Sequence, residues 1–121
     1  MSWLDATADL LRVARDTLRE QVIPTLKSDA RYEAAMVGNA MAIAIREIEV
    51  GDRVRAEEQA LLAEFLGTPT TTLPELRRLL CQELRDGAVL ENRPGELRTL
   101  LRKLVYARLA ISNPDYPRTQ A

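Results

Sequence analysis

From Ala34 to Ile45 the chain reads AAMVGNAMAIAI, twelve residues among which Asn39 carries the only polar side chain. A bilayer span needs about 20 such residues, so this stretch is too short to cross a membrane and reads as a buried helix. A helix with almost no polar face has to be surrounded on all sides. The segment therefore predicts the hub of a helical bundle, with the remaining helices packed around it.

The rest of the chain supplies those companions. Leu4, Ala8, Leu11, Ala14, Leu18 and Val22 recur at helical spacing, and the helix they define is stopped at Ile23-Pro24 because proline disfavours α conformation in the residue before it. Asp29 is a capping residue for the second helix, and Gly51 is placed to close it. Asp52 then opens a third helix with Val54, Leu61, Leu62, Phe65 and Leu66, ending at Gly67. Thr72 with Glu75 three residues on forms a capping box, with Pro74 in the first turn, where a missing N–H costs nothing. The fourth helix follows with Leu76, Leu79, Leu80 and Leu84 and ends at Asp86-Gly87. The fifth begins near Pro94, carries Leu97, Leu100, Leu101, Leu104, Val105 and Ile111, and ends at Asn113-Pro114. All six prolines fall at helix ends or in loops, and no alternating β-branched run is present. The expected fold is all-α: one domain over residues 1–121, a compact five-helix bundle with the second helix central and a flexible tail over 116–121.

Several chemistries are excluded by composition. The 121 residues include no histidine, so there is no imidazole base, no Ser–His or Cys–His pair and no common zinc or di-iron ligand set. A single cysteine, Cys81, rules out an intrachain disulfide or a cysteine metal cluster and is expected to be an inert buried thiol. The five glycines are scattered and form no phosphate loop. We expect no enzyme activity from this chain alone, no bound metal and no cofactor. The first twenty residues contain Asp5, Asp9 and Asp16 and no apolar run of seven, so a secretory signal is not expected. A lone thiol then fits a cytoplasmic setting.

Charge is unevenly placed. Residues 1–50 hold six basic and eight acidic side chains, residues 51–91 five and eight, and residues 92–121 six and two, which gives −2, −3 and +4. Arg98, Arg102, Lys103 and Arg108 form a run with no acid between Glu96 and Asp115. Arg98 and Arg102 share a helix face one turn apart. The run reads either as a contact for phosphate, coenzyme A or an acidic partner, or as a solvated face. Nucleic acid is not expected, because the net charge is −1 and the run shares its helix with a core stripe.

Asn39 is the second candidate. A buried amide without partners costs about 1–3 kcal/mol, so Asn39 needs something to bond. Arg46 lies seven positions on, two turns away on nearly the same side, and Glu47 is rotated from it by about 100°. Two readings stand side by side: a polar pocket near Asn39, Arg46, Asn113 and Tyr116 for an anionic or carbonyl ligand, or ordinary structural partners for each residue.

The segments VIPTL, VGNAMAIAIREIEVG and KLVYARLAISNPDY resemble a bacterial family of small all-helical proteins of unknown function. The resemblance spans about residues 8–116 and rests on Pro24, Asn39, Ala40, Arg46, Glu47, Gly51, Leu109, Asn113, Pro114 and Tyr116. Gly38 departs from the family pattern, which has an alanine-like residue before the asparagine. Genes of this family lie beside, or are fused to, aminoglycoside-phosphotransferase-like kinases and acyl-CoA dehydrogenases. What the resemblance implies is a cytoplasmic accessory subunit whose partner is such a kinase or dehydrogenase. It supplies no catalytic residue. A homodimer is a further expectation, since helices four and five leave leucines to cover.

Overall fold

The computed structural model describes residues 3–68 and 71–116. Pro69 and Thr70 of the loop after Gly67, and residues 117–121 of the expected flexible tail, lie outside the described residues. Five α-helices are present among the described residues: α1 Trp3–Thr17, α2 Ser28–Leu66, α3 Leu73–Asp86, α4 Ala88–Asn92 and α5 Pro94–Ser112. No strand occurs among them, so the fold is all-α. No helix among them is long and apolar enough to cross a membrane. The chain divides into two compact units, residues 1–51 and 52–121.

In the first unit, α1 passes into a π turn, Leu18–Val22, and a 3₁₀ turn, Ile23–Thr25. The widening falls just ahead of Pro24. In a regular α-helix that residue's ring would press on the carbonyl four residues back and offer it no N–H. The Ile23 amide instead reaches the Leu18 carbonyl. Leu26 then turns the chain out in an extended conformation. The N-terminal part of α2 packs at Gly38 against the π turn, where a Cβ would sit 3.7 Å from Leu18 Cδ2. Arg15 Nε donates to the Gly38 carbonyl at 3.0 Å. Arg12 pairs with Asp9 at 2.8 Å and also with Glu49, which holds its guanidinium above the usual arginine range.

Two expectations about α2 are corrected here. Gly51 does not close a helix, and Asp52 does not open one; both lie inside the single helix Ser28–Leu66. A glycine inside a helix costs about 1 kcal/mol. The buried side chains on either side, Ile45 and Val54, offset that. Asp52 instead pairs with Arg55 one turn on. The apolar stretch is also not enclosed on all sides: Gly38, Ala42 and Ile45 are buried, while Met36, Val37, Asn39 and Ala40 are exposed.

In the second unit, Leu62, Phe65, Leu76, Leu80, Val89, Leu97 and Leu100 form one core cluster. Gly67 and Gly87 take the left-handed conformation that ends a helix, as the sequence requires of them. Thr68 N–H reaches back to the Ala63 carbonyl, and Gly87 N–H to that of Glu83. Thr72 caps α3 by accepting from Glu75 N–H, but the Glu75 carboxylate turns away from the cap and pairs with Arg78. The sequence reading missed α4, whose five residues give no periodicity to detect; Gly87 both ends α3 and precedes it.

Candidate functional site

The C-terminal end of α2 and the start of α5 enclose a cleft of about 600 Å³ in the second unit, lined by Leu61, Phe65, Arg93, Thr99, Leu100 and Lys103 together with Gly95 and the carboxylates Glu64 and Glu96. Arg93 organises it. Its guanidinium lies over the Phe65 ring, 4.1 Å from the centroid, and Nη1 donates to the Phe65 carbonyl at 3.0 Å. Nε and Nη2 both hold Glu96 Oε2, at 2.9 and 2.5 Å. One side chain thus fixes the last turn of α2 to the first turn of α5. The lining combines apolar Leu61, Phe65 and Leu100 with side chains of both charge signs.

The outward face of α5 is built differently. Arg98, Leu101, Arg102 and Val105 recur at helical spacing, and all are exposed. The expectation that Leu101 and Val105 belong to the core stripe is corrected: they are 43% and 56% exposed. The buried positions of α5 are Leu97, Leu100, Ala107 and Ile111, on the other side of the helix. Arg77 of α3 makes two hydrogen bonds to Glu58 of α2, 2.7 and 2.8 Å, which hold that carboxyl below its usual range. Arg108 lowers it further through its charge.

The candidate residues named from sequence separate as follows. Asn39 is exposed, so the burial that made its amide demanding is absent. Arg46 and Glu47 are half-buried in the first unit, and each has a polar or electrostatic interaction there or elsewhere in the chain. Arg98 and Arg102 stand together on α5. Asn113 ends α5 by donating from its N–H to the Leu109 carbonyl, and its own carbonyl accepts from Tyr116 N–H at 3.1 Å, with both side chains exposed. None of these seven lines the cleft. Cys81 is exposed rather than buried, because one residue past buried Leu80 it is rotated about 100° away from the side of α3 that Leu76 and Leu80 bury. The sequence reading missed the cleft, since Phe65 read as core and Arg93 was not singled out. The one signal available was the Arg93–Glu96 spacing around Pro94-Gly95. Among the described residues, no group of three or more acidic or thiol side chains is placed to hold a metal ion.

An all-helical chain with a surface cleft and exposed apolar helix faces defines the class. The chain belongs to the family described as Domain of unknown function (DUF6285), whose model matches residues 24–116. The match opens at Pro24, so α1 lies outside it. No curated protein and no solved structure matches the chain.

Proposed function

We propose that the protein is a non-catalytic accessory module that binds another enzyme, either a phosphotransferase-like kinase or an acyl-CoA-metabolising dehydrogenase, in the cytoplasm. One observation carries this reading. Among its described residues, the first unit buries only the apolar side chains Ala8, Ala42 and Ile45, yet exposes eight large ones, including Trp3 (79%), Leu10 (70%) and Tyr32 (68%). Exposed aromatic and long aliphatic side chains in such numbers are the composition of a surface that another protein covers. The choice of partner rests on the gene context that the family resemblance implies.

The test uses the purified chain with the kinase and the dehydrogenase of the same genome. Co-elution in size-exclusion chromatography is expected with one of them, and the Leu10→Asp/Met36→Asp variant should lose it while keeping its helical circular dichroism. Failure to co-elute with either enzyme, even after cross-linking, removes this function. A homodimer is the competing use of the same faces, and light scattering at the monomer mass excludes it.

A second reading, an anionic small-molecule binder, is favoured by the cleft, whose size falls within the range of about 300–1,000 Å³ usual for ligand sites and whose rim carries Arg93 and Lys103. A screen of acyl-CoAs, nucleotides and organic acids should then raise the melting temperature with concentration, and Lys103→Ala should blunt the shift. Flat melting curves dispose of it.

A further inference from the structure

We propose that the outward face of α5 is a docking site for an acidic amphipathic helix of a partner protein, an inference that rests on the accessory-module reading and names the chemistry of the surface the module presents. Arg98, Leu101, Arg102 and Val105 follow one another at intervals of three, one and three residues, which puts all four on one face of the helix. All are exposed. Arg108 flanks the same face one turn further on, and α5 carries no acidic residue after Glu96.

The arginines of the molecule fall into two groups, those that hold a carboxylate and those that do not. Arg12, Arg55, Arg77, Arg78 and Arg93 each hold a carboxylate. Among the described residues, Arg98 and Arg102 hold none. Arg108 is partly compensated, since its charge already acts on Glu58. Arg98 and Arg102 thus stand without a carboxylate one turn apart, directly beside two apolar side chains that α5 leaves in water.

This combination selects the occupant. Leucine and valine at that spacing match the apolar stripe of an amphipathic helix laid alongside, which anchors at every third or fourth residue. Guanidinium groups alongside the stripe are complementary to glutamate or aspartate flanking the partner's own stripe. A nucleic acid would use the arginines and gain nothing from Leu101 and Val105, so a protein helix is the better fit.

The experiment uses the full chain and a fluorescein-labelled peptide of about 18 residues, long enough to become helical on binding, with a leucine stripe flanked by glutamates. Its controls are a scrambled peptide of identical composition, oligoglutamate and a single-stranded oligonucleotide. Anisotropy should show binding of the amphipathic peptide alone, weakening as salt is raised. The Arg98→Glu/Arg102→Glu variant should reduce affinity by about tenfold or more, since attraction becomes like-charge repulsion. Val105→Asn should reduce it separately, and unchanged melting of both variants shows that the fold is intact. The proposal is overturned by no binding, by equal binding of the scrambled peptide, oligoglutamate or oligonucleotide, or by binding indifferent to the arginine reversal. If the peptide fails while the chain still co-elutes with the kinase or dehydrogenase, only the α5 site falls. If the peptide binds as expected and neither enzyme co-elutes, the accessory assignment falls and the α5 site stands.

Discussion

Arg93 covers the ring of Phe65 and at the same time donates to that residue's backbone carbonyl, so a single side chain from the segment before α5 satisfies one of the last carbonyls of α2 and shields its final aromatic. The two residues are 28 positions apart. The contact closes one end of the cleft and ties together two helices whose connection runs through α3 and α4.

Arg93→Ala should destabilise the second unit by about 1–3 kcal/mol, because the Phe65 carbonyl loses its donor and the ring its cation. Arg93→Lys should recover only part of this, since an ammonium cannot stack and fork as a guanidinium does. Urea unfolding followed by circular dichroism reads both; equal stability of the lysine variant and the parent would contradict the geometry.

Leu76 and Leu101 are both leucines on regular helices, but one is fully buried and the other is 43% exposed. Leu76→Ala should cost about 2–5 kcal/mol, as expected for a cavity in a closed core. Leu101→Ala should change stability by no more than about 0.5 kcal/mol. Chemical denaturation midpoints compared at constant slope distinguish them.

Gly38 and Gly87 should respond to alanine in opposite directions. Gly38 is helical, and an added Cβ would meet Leu18 Cδ2 at an ordinary 3.7 Å, so Gly38→Ala should stabilise by about 0.5–1 kcal/mol. Gly87 sits at φ +83° in open space, so Gly87→Ala should destabilise by about 1–2 kcal/mol through backbone strain alone. Paired thermal melts give the sign of each.

The Glu58–Arg77 pair sets an acid-side dependence. Hydrogen bonding from Arg77 lowers the Glu58 carboxyl below its ordinary range, so its contribution is complete above the ordinary glutamate value of about 4.3 and is lost as pH falls through the lower folded-state value. The stability gap between the parent and Arg77→Gln should therefore be present at pH 7, and should shrink below pH 4 or so. Arg77 is half exposed, so the gap at neutral pH should stay within about 1 kcal/mol. A gap constant from pH 7 to pH 3 would show that the pair does not titrate with folding.

The signals that the sequence made legible act over a few residues. Thr72 before Leu73-Pro74-Glu75 caps α3, Gly67 and Gly87 take positive φ, and Asn113-Pro114 follows the end of α5. Gly51 misled for the same local reason: glycine is permissive of a helix end without demanding one, and the burial on either side of it keeps α2 continuous. Asn39 misled because apolar neighbours in sequence are not apolar neighbours in space. Ala42 and Ile45 lie on the side of α2 that is buried, whereas Asn39 shares a side with exposed Tyr32 and Met36.

By itself, then, the sequence determined that this chain is helical, where most of its helices begin and end, and that it lacks histidine chemistry, because caps, breakers and composition need no distant contact. Only the tertiary structure decided which apolar faces are covered, that Leu101 and Val105 stand in water beside arginines, and that Arg93 meets Phe65. Those outcomes depend on pairings across tens of residues, where several faces of similar hydrophobicity compete and packing geometry alone selects the one that is buried.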